Sequence, residues 1–174
     1  MIKKLKPERT AGTVYEMDFR KEYESGIRGL IFDIDNTLVA QNAPLSEEAA
    51  AFLKARIEEG FRVCLVSNNR EKRVREFAEN TGAGYVHNAA KPSRKGYYKA
   101  MELMGTDTTN TLFVGDQVLT DIFGANRAGV KNVLAKPVDP KTDTAAIRFK
   151  RFIERIFLGR GKRRNRRDGD EKNT

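Results

Sequence analysis

The chain has 174 residues, 39% hydrophobic and 33% charged, with a formal net charge of +9. That length supports one domain with a real core, and the balance points to a globular protein rather than a disordered or membrane-spanning one. A single cysteine and a single histidine exclude a disulfide framework, multi-histidine metal sites and most histidine-based relays.

The start, residues 1–7, is basic but has no apolar h-region, so no secretory signal is expected and the protein is expected in the cytoplasm. No apolar run approaches the ~20 residues of a spanning helix. Residues 1–27 read as an N-terminal lead-in of mixed polarity with a Ser25-Gly26 break, and residues 28–158 as the folded domain. The apolar run 30–32 predicts a buried strand that stops at two carboxylates, Asp33 and Asp35. After the turn 42–44, Ser46 is placed to N-cap a helix that carries Ala49, Phe52, Leu53 and Ile57 and ends at Gly60. Strand 62–66 contains Cys64, read as a small core residue, and runs into Ser67-Asn68-Asn69. A helix over 71–80, a weak strand at 84–86 and a helix over 93–104 follow, with His87 expected in a loop or at the surface. Strand 111–114 leads into Gly115-Asp116, a helix follows to Gly129, and 132–134 is a last strand. Strands alternating with helices predict an α/β, doubly wound (Rossmann-like) parallel sheet with helices on both faces.

In such a sheet the carboxyl ends of the strands share one edge, so Asp33, Asp35, Ser67, Lys91, Asp116 and Asp121 converge there. Two carboxylates as close as Asp33 and Asp35 either cap an Asx turn or share a divalent cation that offsets their repulsion. The whole set suits phosphoryl transfer, in which the negative charge on the ester must be neutralised before attack. A metal on Asp33 and Asp116, with donors from Lys91 and Ser67, would do so. Asp33 could then form an aspartyl-phosphate, Asp35 would serve as acid and then base, and Asp121 would stand one shell out.

Asp33-Ile34-Asp35-Asn36-Thr37, Ser67 after an apolar strand, Lys91-Pro92 and Gly115-Asp116 followed by Asp121 resemble the four motifs of the haloacid dehalogenase superfamily, in order. The flanking residues are similar to its subfamily IIIA, the uncapped bacterial YqeG type and the mitochondrial phosphatidylglycerophosphate phosphatases. The resemblance implies a magnesium-dependent phosphatase with Asp33 as nucleophile and Asp35 as acid/base. It further implies phosphate binding by Thr37, Ser67, Asn68 and Lys91, Mg2+ on Asp33, Asp35 and Asp116, and phosphatidylglycerophosphate or a related phospholipid as substrate, with a protein, nucleotide or sugar phosphate as the alternative. The second aspartate argues against dehalogenation, since a leaving halide needs no proton.

Spacing is informative independently. The 31 residues between Asp35 and Ser67, and the 23 between Ser67 and Lys91, are used up by one helix and one strand each, so no cap domain fits. An open crevice suits a phosphate that remains attached to something large. Basic residues concentrate at the end, with net +7 over 148–174 against +2 over 1–147. Residues 145–158 predict a basic amphipathic helix that either packs on the sheet or docks on anionic lipid, and 159–174 a basic tail. The charge of 148–167 suits an anionic membrane or RNA alike, and leaves open a tail with no partner and a binding module rather than an enzyme.

Overall fold

Residues 30–32 and 112–114 are apolar without interruption and wholly buried, as befits strands covered on both faces of a parallel sheet. The computed structural model describes residues 2–142; the expected helix 145–158 and the tail 159–174 lie outside the described residues. Six strands, β1 (Arg9–Thr10), β2 (Gly29–Phe32), β3 (Arg62–Val66), β4 (Gly84–Val86), β5 (Thr111–Gly115) and β6 (Lys131–Leu134), form one sheet. Their order is β1-β6-β5-β2-β3-β4, and every pairing is parallel. Five helices accompany them: α1 (Phe19–Glu24), α2 (Glu47–Glu58), α3 (Glu71–Glu79), α4 (Lys95–Met104) and α5 (Phe123–Ala128).

Successive strand residues point to opposite faces, and the core divides accordingly. Leu30 and Phe32 pack with Phe19, Leu53, Val74 and Phe77 from α1, α2 and α3. Ile31 and Phe113 pack with Tyr97, Ala100 and Met101 of α4 and Ala125 of α5 on the other side. Helices thus cover both faces, as the alternating pattern required. Helix α2 starts where its cap predicts, with Ser46 Oγ accepting from Ala49 N at 3.1 Å, and α4 closes at Gly105 with φ +61°.

Arg9, Thr10 and Phe19 tie the segment before β2 to the sheet and its core. Strand β1 pairs with β6, and the Phe19 ring meets those of Phe32, Phe52 and Phe61 at 6.0, 5.6 and 6.3 Å between centroids. Burying such a ring contributes about 1.5–3 kcal/mol, so this segment belongs to the core. Its strand escaped the sequence reading because it is two exposed residues long.

The α2–β3 and α3–β4 units fill the two intervals between the acidic loop and Lys91, and no cap domain interrupts them. Among the described residues, no helix is long and apolar enough to cross a membrane. From β2 the chain winds outward through β3 and β4, then returns to β5 on the other side of β2. The crevice past the ends of β2 and β5 is therefore the switch point, where ligands of such sheets bind.

Candidate active site

Asp33 is the first residue past β2 and stays in register with the sheet, its N–H donating to Val114 O at 3.0 Å. The chain then reverses tightly. The Ile34 carbonyl accepts from the N–H groups of Thr37, Leu38 and Val39, and Asn36 takes φ +60°, a left-handed conformation that asparagine tolerates. Past this reversal Asp33 and Asp35 line the same crevice with Ser67, Asn68, Lys91 and Asp121.

Lys91 is the hub. Its Nζ lies 2.5 Å from Asp33 Oδ1 and 2.7 Å from Asp121 Oδ1, with all three side chains buried. Burial opposes the ammonium, but Asp121 and Asp33 outweigh it and raise the lysine further into its charged form. Burial likewise pushes the Asp33 carboxyl up to about 7, with Lys91 pulling it down and Asp121 and Asp35 adding to the rise. The lysine backbone is braced as well. Its N–H donates to Asn68 Oδ1 at 2.7 Å, and Asn68 Nδ2 donates back to the Lys91 carbonyl at 3.3 Å. Both ends of the Asn68 amide are thus engaged in holding Lys91, although the motif suggested a phosphate contact.

Asp121 reaches the site through local backbone shape. After β5 the chain forms a π-helical turn over Val118–Ile122 where the sequence suggested ordinary helix, a feature frequent at functional sites. Asp121 Oδ2 accepts from Gln117 N at 3.0 Å, while the buried Tyr97 hydroxyl donates to the Asp121 carbonyl at 2.9 Å. Gly115 is required beneath it, because a Cβ there would stand 2.7 Å from Asp121 Cγ.

Asp33, Asp116 and Asp121 each offer a carboxylate oxygen within 4.8 Å of the others. Three buried carboxylates so close need positive charge among them, and their hard oxygens suit a divalent cation. The cluster differs from the expected trio in one member. The Asp35 carboxylate lies outside it and is held by Arg73 Nη2 at 2.8 Å, Asn42 N at 2.7 Å and the Asn69 side-chain amide. Asp121, expected one shell out, has a carboxylate oxygen in the cluster. Thr37 lies at the rim of this cluster, with Oγ1 3.4 Å from Asp116 Oδ1, and Ser67 Oγ accepts from Asn69 N at 3.2 Å.

Arg73, Asn69 and Asn42 were not singled out from the sequence. Arg73 sits on α3, 38 residues from Asp35, and also donates to Ala43 O at 2.8 Å, fastening the loop after Asp35 to the helix. No local pattern separates it from the other charged residues of that helix.

Comparison with known proteins matches residues 39–129 to the haloacid dehalogenase-like hydrolase family. The chain is 34% identical over 166 residues to the probable phosphatase YqeG of Bacillus subtilis, covering 94% of this chain and 96% of that protein. It is 26% identical over 167 residues to the chloroplastic phosphatidylglycerophosphate phosphatase 1 of Chlamydomonas reinhardtii, covering 88% of this chain and 61% of that one. Among solved structures, the 3-deoxy-D-manno-octulosonate 8-phosphate phosphatase of Yersinia pestis superposes with a TM-score of 0.52 at 15% identity, over 79% of this chain and 84% of that one. At that identity the likeness is one of fold.

Proposed function

Since the chain belongs to the haloacid dehalogenase-like hydrolase family, we propose that it is a magnesium-dependent phosphomonoesterase that works through an aspartyl-phosphate on Asp33. The observation that carries this reading is the buried Lys91 ammonium shared by Asp33 and Asp121, with Asp116 beside them, at the sheet's switch point. Asp33, Asp116 and Asp121 would hold Mg2+, which when bound would neutralise the phosphoryl oxygens and align the ester.

Asp33 would attack phosphorus through the oxygen that Lys91 does not hold, while Lys91 favours its ionised form against the effect of burial. The ester oxygen leaves with the bonding pair and takes a proton from Asp35, which lines the same crevice. A water then attacks phosphorus and gives its proton to Asp35, releasing phosphate and restoring Asp33. Ser67 would donate to a phosphoryl oxygen, and Thr37 would steady Asp116.

A phospholipid phosphate, phosphatidylglycerophosphate in particular, is the substrate we favour. The crevice over the carboxylates holds about 190 Å3, less than the roughly 300–1,000 Å3 of pockets that enclose a ligand, so it suits a phosphoryl group whose bearer stays outside. The algal relative's name supports the same class. Turnover of phosphatidylglycerophosphate, a sugar phosphate, a nucleotide and a phosphopeptide, each with Mg2+ and with chelator, tests both parts. Preference for the lipid, lost on chelation and restored by Mg2+, is expected. Undiminished turnover in chelator would overturn the metal, and preference for another ester would overturn the lipid.

A further inference from the structure

A cavity larger than the crevice over the carboxylates lies beside it. It is a groove of about 510 Å3 between β4 and α4, joined to the catalytic crevice by the loop 88–91. Ala89 and Ala90 line the groove and Lys91 lines the crevice, so the two meet across consecutive residues. Ala89 and Lys91 are two steps apart, which puts their Cα atoms at most about 7.6 Å from one another.

That loop is fixed in place. Asn88 N donates to Asn69 O at 2.9 Å, Ala89 N to Ser67 O at 3.0 Å and Ser93 N to Ala90 O at 2.8 Å, so the groove wall is pinned to the residues that follow β3. Asn88 and Ala90 both have positive φ, at 44° and 50°. The floor depends on Gly96, where a Cβ would stand 2.9 Å from that of Ala89.

The side chains along the groove are ordered. Lys95, Lys99 and Leu103 recur every four residues and so form one stripe along α4, with a rise of about 6 Å between neighbours. Lys95 opens the helix beside the 88–91 loop, and Leu103 closes it at the far end, 56% exposed. Opposite them stand His87, Val86 and Tyr85 of the β4 side, and no acidic residue lines the groove. Along the α4 stripe the two ammonium groups therefore come first, from the end that follows the 88–91 loop, and the apolar Leu103 last.

We propose that this groove is the second half of the substrate site, with Lys95 and Lys99 binding a phosphodiester next to the scissile monoester and Leu103 and Tyr85 receiving the start of its acyl chains. This rests on the phosphomonoesterase reading above and adds the requirement for a second anion. An extended glycerol linker places the two phosphorus atoms roughly 7 Å apart, comparable to the most that residues two apart in the 88–91 loop can span. A second charged contact also explains how an uncapped enzyme selects among monoesters that all present the same terminal group.

Three substrates with the same terminal monoester test this. Glycerol 3-phosphate carries the monoester alone, glycerophosphoglycerophosphate adds the diester, and dioctanoyl phosphatidylglycerophosphate adds the chains. Lys95→Ala with Lys99→Ala, both exposed, should lower kcat/KM about tenfold on the second and third and leave the first unchanged, because each charged contact is lost only where the diester exists. Leu103→Ser should affect the third alone. Equal losses on all three, or none on any, would overturn the proposal. Titration with glycerophosphoglycerol, which has no scissile monoester, reads the groove without catalysis. Amide shifts at Lys99 and Leu103 that disappear in the lysine variant would uphold the groove even if lipid hydrolysis failed, and no shifts in the wild type would sink it even if hydrolysis succeeded.

Discussion

Replacing Lys91 by methionine keeps most of the side chain's volume and removes only its charge. In the wild type that charge is 2.5 Å from one carboxylate and 2.7 Å from another, with the lysine 7% exposed. Removing one partner of a buried pair typically costs about 3–5 kcal/mol, because the other charge stays behind in low dielectric. At about 2–4 °C per kcal/mol for a chain of this size, Tm should fall by roughly 6–20 °C in chelator. Mg2+ should restore much of that loss, since a cation among Asp33, Asp116 and Asp121 supplies the missing charge, so its stabilising effect should be larger in the variant than in the wild type. The pH dependence has a definite sign. Asp33 is raised from 3.8 to about 7, so the folded metal-free protein binds more protons than the unfolded chain between those values. Its contribution is therefore full below about 4 and is lost as pH rises through about 7. Lys91 acts against that rise, so its removal should extend the decline to higher pH. Urea unfolding from pH 4 to pH 8, with and without Mg2+, reads all of this, and a variant as stable as the wild type and indifferent to Mg2+ would refute it.

Gly115→Ala puts a Cβ 2.7 Å from Asp121 Cγ, so it should cost about 1–3 kcal/mol by overpacking and weaken Mg2+ affinity in a titration; unchanged affinity would mean Asp121 is not a ligand. Arg73→Gln removes the 2.8 Å contact that orients Asp35 and should lower kcat about tenfold with KM for a small soluble ester unchanged, Arg73→Lys recovering part of it. Wild-type kcat in Arg73→Gln would show that Asp35 needs no such support. Cys64 is wholly buried and its thiol is pushed up to about 12 by desolvation, so it should resist alkylation in the native state and react only as fast as the protein opens globally. Rapid labelling under native conditions would contradict its place in the core.

The elements most legible in the sequence were those whose burial makes a pattern. Residues 30–32 and 112–114 could only be interior strands, and the order of strands and helices then put Asp33, Ser67, Lys91 and Asp116 on one edge without any side-chain detail. What the sequence could not convey was which way a carboxylate turns once there. Asp35 was expected beside Asp33, and the tight reversal at Ile34 and Asn36 sets its carboxylate against Arg73 and Asn69, partners that no local pattern announces. Asp121 moves the other way, because the π-helical turn carries it inward by an amount that ordinary helical spacing does not anticipate. Strand β1 and the α4 groove were illegible for a further reason. Strand β1 rests on the pairing of Arg9 with Val133, far along the chain, and the groove on residues of β4 and α4 that line one space only once both elements have packed.

The covalent intermediate is the step on which the functional reading turns. Wild type, Asp33→Asn and Asp35→Asn proteins, each incubated with Mg2+ and a radiolabelled phosphate monoester and quenched in acid, should differ in retained label. Label should be found on the peptide containing Asp33 in the wild type, accumulate in Asp35→Asn because water then lacks its base, and be absent from Asp33→Asn. Turnover by Asp33→Asn at the wild-type rate, or label on any other residue, would contradict the assignment.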